Sequence, residues 1–421
     1  MVKTRQTCRA CGSTALTPVI SLGDQCLASN FSISPDFPPV ERKIPLELVR
    51  CDVTRDENAC GLVQLLHTVP GDLMYSSYGY RSGVNETMTR HLQGIVRGLE
   101  ERVALRPGHL VVDIGANDGT LLHSYRDKGV TYVGFEPSDI LPTVPAPHVA
   151  YIKDYFSATA LKRQLGDKKA EIVTSIAMFY DLESPNTFVA DIASVLAENG
   201  LWVLEMSYLP SMLDNASFDT ICHEHLEYYS LSALERLFSR HGLQIADAEL
   251  NDANGGSIRV TVCHRGSKRG EHSNAVRSRI YGLKKREFEM QLDTDVPYRA
   301  FTEQVEHIRR DLAPLLQGLR SAGKTIYGYG ASTKGNVILQ YCGLGPEHLT
   351  GIADRNPVKW GGKTMGTDIP IVSEEDMRRA NPDFLLVLPW HFLKEFQARE
   401  HAFTARGGRF IVPVPRVQVV A

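Results

Sequence analysis

The sequence predicts an α/β protein built in three parts, and three observations carry that reading. Four cysteines fall in the first 60 residues as two pairs; strand-like and helix-like runs alternate from residue 107; and the alternation resumes after about residue 300. At 421 residues the chain exceeds one hydrophobic core, so two or three domains are expected. The boundaries fall at 1–75, 76–265 and 266–421.

Residues 1–68 carry Cys8-x2-Cys11 and Cys51-x8-Cys60 amid Pro, polar residues and short β-like runs. A segment with so little apolar mass needs a staple. Four thiolates suit a closed tetrahedral Zn2+ site, which is structural because no ligand position stays open for water. The competing reading is four unrelated cytosolic thiols, and the confinement of both pairs to the first 60 residues favours zinc. Cys26 has no partner cysteine in the pattern. An aromatic loop, Tyr75 to Tyr80, leads to a helix at about 86–104 with Met88, Leu92, Ile95, Val96 and Leu99 on one face.

From there, HLVVDIG (109–115) reads as a buried strand and DGTLLHSYRDKG as a helix. YVGFEP (132–137), AEIVTSIAMF (170–179) and GLWVLEMSY (200–208) read as further strands. Such alternation argues a parallel sheet covered by helices on both faces. The basic stretch Arg265–Lys285 reads as a solvated, partly mobile linker. Beyond it, a helix near 302–322 precedes strands in TIYGYGAS (325–332), LTGIADRNP (349–357), FLLVLPW (384–390) and RFIVPVP (409–415).

Composition excludes several classes. Apolar residues make up 43% and charged residues 23%, ordinary for a globular protein, and the formal net charge of −3 gives no electrostatic case for nucleic acid or anionic membrane. No apolar run approaches the roughly 20 residues a bilayer span needs. The start, MVKTRQTCRACG, has no signal-peptide core, and a cytoplasmic location is expected.

VVDIGANDGTLL (111–122) sets glycines where a strand ends and a helix begins. Gly115 lets a ligand approach the backbone, and the helix start at Asp118-Gly119 offers N–H groups. Two folds compete here, dinucleotide-binding and methyltransferase. The former wants G-x-G-x-x-G, and Asp113 and Asp118 would repel a pyrophosphate; a sulfonium and an amine, as in S-adenosylmethionine, would be attracted. Glu136 can accept two ribose hydroxyls and Asp154 can bond an adenine amino group. Asn117, Pro137, Tyr155, Phe156 and Ile176 complete the expected cofactor contacts.

CHEHLEYY (222–229) gathers two His, two Glu and two Tyr in eight residues. The i, i+2 spacing of His223 and His225 does not suit two metal ligands on one helix face, and H-E-x-x-H is absent. Carbon methylation needs a base that removes a C–H proton, for which imidazole serves near neutral pH, and Glu224 can orient or polarise the site.

The four-cysteine start, DIGANDG, SYLPSMLDNASFDTICHEHLEYYS (207–230), NGGSIRV (254–260) and GYGASTKGN (328–336) occur in this order, and through them nearly the whole chain resembles the sugar C-methyltransferase family of deoxysugar pathways. The resemblance implies a Rossmann-like class I methyltransferase domain between a zinc-binding domain and a second Rossmann-like α/β domain. It also implies methyl transfer from S-adenosylmethionine to C-3 of a nucleotide-linked (dTDP or GDP) 4-keto-6-deoxysugar, with C-5 as the alternative carbon. In that family the base is the second histidine of H-E-H, here His225, with Glu224 in the active site. The chain departs from the family at Cys222, where a tyrosine is common, and in SIAMFYDLESP, which lacks a family histidine; Tyr78, Tyr80, Tyr180 and His223 are the candidates to hold the enolate.

In the last part, YGYGASTKGN has small residues and a lysine where a strand meets a helix, but not the Walker spacing. The resemblance implies that Gly330, Ala331, Ser332, Lys334 and Asn336 grip the diphosphate, with Asn254, Gly255, Arg259, Asp354, Asn356 and His391 as further substrate contacts. An ordinary strand-to-helix turn is the plainer reading of that loop. Two other classes are in play: an NAD-dependent oxidoreductase using either glycine loop, and a zinc-containing interaction protein with a decayed enzyme fold, against which intact Asp113, Gly115, Glu136 and His225 count. The chain is expected to act as a monomer, since three fused units can enclose a site.

Overall fold

The computed structural model describes residues 2–32, 42–71, 74, 81–84, 86–126, 129–141 and 148–421. Strands β1 (Leu16–Gln25), β2 (Ile44–Cys51) and β3 (Val63–Leu65) form an antiparallel sheet. Helix α1 (Glu86–Arg102) follows, burying Leu92, Ile95, Val96 and Leu99 at helical spacing. The central unit then runs β4 (Leu110–Ile114), β5 (Thr131–Phe135), β6 (Val149–Ile152), α2 (Ala158–Leu165), β7 (Ala170–Ile176), α3 (Pro185–Val195) and β8 (Leu196–Ser207). It continues through α4 (Leu209–Asp214), β9 (Glu227–Tyr228), α5 (Leu231–Ser239), β10 (Leu243–Asn251) and β11 (Ser257–His264).

The central sheet has the order β6-β5-β4-β7-β8-β11-β10, parallel from β6 to β8, with β11 antiparallel to both its neighbours. Strand order reverses between β4 and β7, and the crevice at their carboxyl ends is where open α/β sheets bind ligands. Strand β9, two residues past His225, leaves this unit to extend the N-terminal sheet by pairing with β3.

Helices α6 (Asn274–Glu289) and α7 (Val296–Ser321) lead to the C-terminal unit. There β12 (Ile326–Tyr329), α8 (Thr333–Tyr341), β13 (Ile352–Asp354), β14 (Ile371–Ser373), β15 (Phe384–Val387), β16 (Arg409–Val412) and β17 (Gln418–Val420) give the sheet order β14-β13-β12-β15-β16-β17. Ser332 caps α8, its hydroxyl accepting from the Gly335 N–H at 3.0 Å.

The cysteine-bearing segment completes its core with borrowed surface. Ile20, Leu22, Leu46 and Leu48, alternate residues on β1 and β2, share one apolar cluster with Phe301, Val305, Ile308 and Leu312 of α7. Each fully buried side chain of this kind stabilises by about 1.5–3 kcal/mol, so α7 supplies much of what the small sheet lacks. Arg50 of β2 donates to Asp295 Oδ1 at 2.7 Å and to the Asp293 carbonyl at 3.0 Å, fixing the start of that helix. Among the described residues no helix is long and apolar enough to cross a membrane.

Two sequence expectations are corrected. The helix expected over DGTLLHSYRDKG is, among its described residues, a run of turns with one 3-10 turn at Leu122–Ser124. Gly119 and Asn117 adopt positive φ (78° and 54°), and Asp118 spends its carboxylate on Thr120 and on the Gly83 N–H at 2.8 Å. Nor is the basic stretch 265–285 a linker: most of it belongs to α6, whose Leu283 and Glu287 are buried one turn apart. Glu287 accepts from the Tyr208 hydroxyl (2.7 Å) and the Leu231 N–H (2.5 Å), and Arg279 pairs with Asp247 at 2.7 Å.

Candidate active site

Cys8, Cys11, Cys51 and Cys60 converge, with all four sulfurs within 4.8 Å of one another. The nearest pairs, Cys11–Cys51 at 3.3 Å and Cys8–Cys60 at 3.6 Å, compare with the ~3.8 Å edge of a tetrahedron of Zn–S bonds about 2.3 Å long. Gly12 and Gly61, each following a cysteine, take φ of 77° and 78° and turn the backbone under the sulfurs. Hydrogen bonding among the thiols pulls Cys11 far down and pushes Cys51 and Cys60 up, so the four do not ionise together without a cation. The donor set therefore fits Zn2+, held by four thiolates.

The residue between the first pair ties this cluster to the rest of the molecule. Arg9, fully buried, donates to Gln64 Oε1 (3.2 Å), Thr68 Oγ1 (2.7 Å) and the Leu65 carbonyl, and its Nε stands 3.8 Å from Glu227. The neighbouring Ala10 carbonyl accepts from Asn186 (2.7 Å) and Arg240 (2.9 Å) of the central unit.

At the carboxyl ends of β4 and β5 the glycine loop takes shape. Gly115 has φ of 73°, and a Cβ there would meet the Met178 side chain at 3.1 Å. Glu136 accepts from the Asn117 N–H (3.0 Å) through one oxygen and from Ser138 N–H (2.9 Å) and hydroxyl (2.6 Å) through the other, leaving lone pairs for ligand hydroxyls. Burial raises the Asp113 carboxyl to about 7, against a hydrogen bond from Thr174 at 2.5 Å; a cationic ligand nearby would favour its charged form. Asn117 and Asp118 hold Ser82 and Gly83 over the loop. These groups fit a ribose and a cationic amino-acid moiety, as in S-adenosylmethionine. Asp154 and Tyr155 lie exposed on the loop after β6, Pro137 and Ile176 are half-buried, and Phe156 joins the core between Phe135 and Phe188.

His225 follows a buried turn. Its Nδ1 lies 2.8 Å from the Thr220 carbonyl, which can only accept, so Nδ1 carries the hydrogen and Nε2 keeps its lone pair. Burial drives the imidazole down to about 4, Thr220 opposing and the Lys334 charge assisting. The Tyr180 ring packs edge-on at 4.4 Å, and the Leu226 N–H donates to the Tyr180 carbonyl at 2.7 Å. Glu224 is buried, its carboxyl pushed up by that burial, and its Oε1 has no hydrogen-bond partner among the described residues. His223 turns instead to the N-terminal sheet, Nε2 donating to the Ile44 carbonyl at 3.1 Å. Tyr78 and Tyr80 lie outside the described residues.

The C-terminal candidates divide. Lys334 donates to the carbonyl of Asn254 (2.5 Å), a residue at φ of 53°, and its charge acts on His225, Asp219 and His391. His391 is buried, with Nδ1 unpartnered among the described residues, and burial drives it down to about 3. Gly255 leaves room for the neighbouring indole of Trp390, which a Cβ would approach to 3.1 Å. Gly330, whose Cβ would meet Pro389 at 2.7 Å, belongs to the same strand-end loops. Asp354 accepts from the Ala331 N–H and the Asn356 N–H, each at 2.8 Å, and Lys359 joins them, 3.8 Å from that carboxylate and donating to the Ala331 carbonyl at 2.6 Å. Asn336 reaches away, to the Ala28 carbonyl at 2.6 Å.

Sequence reasoning named Arg259 but missed its partners in a cluster near the end of β8 and the start of β11. Glu205 receives His91 (2.5 Å), Asn251 (2.9 Å) and Arg259 (2.8 Å). Burial pushes its carboxyl up, yet bonds from His91 and Arg259 outweigh that and hold it below the usual range. A lone acid inside the apolar run GLWVLEMSY was the available signal. Asp219 and Trp390 were also passed over.

Family models match in three stretches: a zinc binding domain over residues 8–75, a methyltransferase domain over 85–248, and a C-methyltransferase C-terminal domain over 252–415. The chain is 32% identical over 423 residues to the C-methyltransferase NovU of Streptomyces niveus, spanning 98% of this chain and 96% of that protein. Among solved structures, magnesium protoporphyrin IX methyltransferase from Synechocystis PCC 6803 matches at 15% identity, covering 44% of this chain and 90% of that one, with a TM-score of 0.34. The 1,6-didemethyltoxoflavin-N1-methyltransferase of Burkholderia thailandensis matches at 12% identity, covering 43% and 80%, with a TM-score of 0.31.

Proposed function

The chain belongs to the family of S-adenosylmethionine-dependent C-methyltransferases with an N-terminal zinc-binding domain, and from that premise we propose that it methylates C-3 of a nucleotide-linked (dTDP or GDP) 4-keto-6-deoxysugar, with His225 as the base. The observation that carries the reading is the hydrogen bond from His225 Nδ1 to the Thr220 carbonyl, which leaves Nε2 as a basic lone pair in a half-buried site.

A ketone acidifies the protons on its neighbouring carbons. His225 takes one of them at Nε2, a step for which a positioned base contributes roughly 10²–10⁴-fold. Burial keeps the imidazole neutral beforehand, so it is ready to accept. The resulting enolate oxygen needs a donor: Glu224, which burial favours as the neutral acid, can donate, with Tyr180 beside the same ring. S-adenosylmethionine, when bound, supplies the electrophilic methyl group; Glu136, Asp113 and the Gly115 loop would hold it. Lys334 would grip the diphosphate, near enough to act on His225. The cysteine site would be structural and take no part in the chemistry. This reading assigns residues 1–75 to zinc, 76–265 to the cofactor and 266–421 to the nucleotide sugar.

The test is incubation with S-adenosylmethionine and dTDP- or GDP-linked 4-keto-6-deoxysugars, with the product carbon located by NMR. New methyl carbon at C-3 is expected, and His225→Asn should abolish both transfer and solvent-deuterium exchange at that carbon. Methylation at C-5 would correct the position. No transfer to any nucleotide-linked ketosugar would sink the substrate reading.

A further inference from the structure

We propose that Asp219 and Trp390 form a clamp between the central and C-terminal units that holds His225 in the tautomer needed for proton abstraction. This rests on the reading of His225 as the base, and makes both residues positioning residues.

The Thr220 carbonyl that receives the His225 Nδ1–H also accepts from the Tyr228 hydroxyl at 3.3 Å. It sits at the end of a 3-10 turn, Phe218–Thr220, whose three residues are all buried. Within the chain this turn is closed by Thr220 N–H to the Ser217 carbonyl (3.2 Å) and Ile221 N–H to the Phe218 carbonyl (2.9 Å). Two side chains fix where it lies, and both reach the C-terminal unit. The Phe218 ring stands 5.2 Å from that of Tyr341, at the end of α8. Asp219 Oδ2 accepts from the indole Nε1–H of Trp390 at 2.9 Å, across 171 residues of sequence.

Trp390 follows β15 and adjoins His391, and Lys334 at the start of α8 acts on both Asp219 and His391. The Lys334 charge and the Trp390 indole thus both act on Asp219, the residue next to the one whose backbone oxygen orients His225. A contact serving only to join the two units would not need to end one residue from that oxygen. Asp219 is fully buried and burial pushes its carboxyl up, while the Lys334 charge and the Trp390 hydrogen bond oppose that, so the indole is one of the few groups that offset its desolvation.

The test uses full-length protein labelled with ¹⁵N-histidine and long-range ¹H–¹⁵N spectra, with His225 assigned by its loss in His225→Asn. Wild-type His225 is expected to show a protonated Nδ1 and an unprotonated Nε2. Trp390→Phe, which keeps a ring but loses the N–H, should give mixed tautomers and a fall in kcat of about tenfold to a hundredfold, with KM for S-adenosylmethionine unchanged. Asp219→Ala should behave likewise, whereas Asp219→Asn, whose amide oxygen still accepts the indole N–H, should keep the wild-type tautomer. Retained binding of S-adenosylhomocysteine reports that each variant is folded. An unaltered tautomer in both Trp390→Phe and Asp219→Ala, or equal loss in Asp219→Asn and Asp219→Ala, would overturn the clamp. The spectra need no substrate, so they stand even if the ketosugar reading fails.

Discussion

The guanidinium Nε of Arg9 stands 3.8 Å from the Glu227 carboxylate, with neither side chain exposed to solvent. Arg9 lies between Cys8 and Cys11, and Glu227 begins the short strand that pairs with β3 just after His225. The Leu65 N–H, in β3, donates to the Leu226 carbonyl at 2.9 Å. The cysteine cluster and the His225 loop are therefore tied together through β3, although zinc would stand apart from the proposed chemistry.

Zinc removal should consequently abolish activity by displacing the base. Cys51→Ser, or prolonged chelation, is expected to lower metal content from one zinc per chain, lower the unfolding temperature and eliminate methyl transfer. Structural zinc sites contribute folding free energy of about 10 kcal/mol or more in small domains. Metal analysis and activity measured on the same samples check this. Full activity in a zinc-free preparation would contradict the coupling.

Glu136 offers a separate test of the cofactor cradle. Its carboxylate is buried and bonded by Asn117 and Ser138, so Glu136→Ala removes the proposed ribose acceptor and loosens the glycine loop at once. S-adenosylhomocysteine affinity should fall by about tenfold to a hundredfold, the loss of one or two charge-assisted hydrogen bonds. Calorimetry reads it directly. Asp154→Ala, on an exposed loop, should cost less, because water already competes for that carboxylate.

The difference between those two acids shows what the sequence could and could not reveal. Strand ends are legible because buried strands are continuous apolar runs, so Asp113, Gly115 and Glu136 are placed at the carboxyl ends of neighbouring strands by the sequence pattern alone. The thiol cluster was legible from pairing alone. Depth of burial was not, and it separates Asp154 in solvent from Phe156 in the core two residues on. Long-range partners were equally hidden. Nothing local marks Asp219 as the acceptor for Trp390, or Glu205 as the hub for His91 and Arg259. The basic stretch misled because its charges dominate the composition while only Leu283 and Glu287 pack inward.

Lys334→Ala should raise KM for the nucleotide-linked substrate by about tenfold to a hundredfold, as loss of a charge-assisted phosphate contact predicts. The KM for S-adenosylmethionine should hardly move, since the glycine loop lies at the other carboxyl-end crevice. Steady-state kinetics with each substrate varied in turn separates the two. A change confined to the cofactor would remove Lys334 from the diphosphate site.

The pH dependence follows from the environment of His225. Burial is the main cause that lowers its imidazole to about 4; the Lys334 charge assists, the Thr220 carbonyl opposes, and the Tyr180 ring closes one side. The base works only when neutral, so the acid limb of kcat/KM should fall near pH 4 and not near the ordinary 6.5. Stability moves in the same direction. The unfolded chain, with a histidine of about 6.5, takes up its proton before the folded one does. The contribution of neutral His225 is thus fully present above pH 6.5, is lost as pH falls toward about 4, and is constant below that. His223, lowered by burial to about 4, adds to the same loss. Replacing Lys334 by Met removes a repelling cation and should shift the acid limb of the rate profile upward. Rate profiles and thermal unfolding between pH 4 and 8 provide both readings, and an acid limb at 6.5 or above would mean that the working base is not this half-buried histidine.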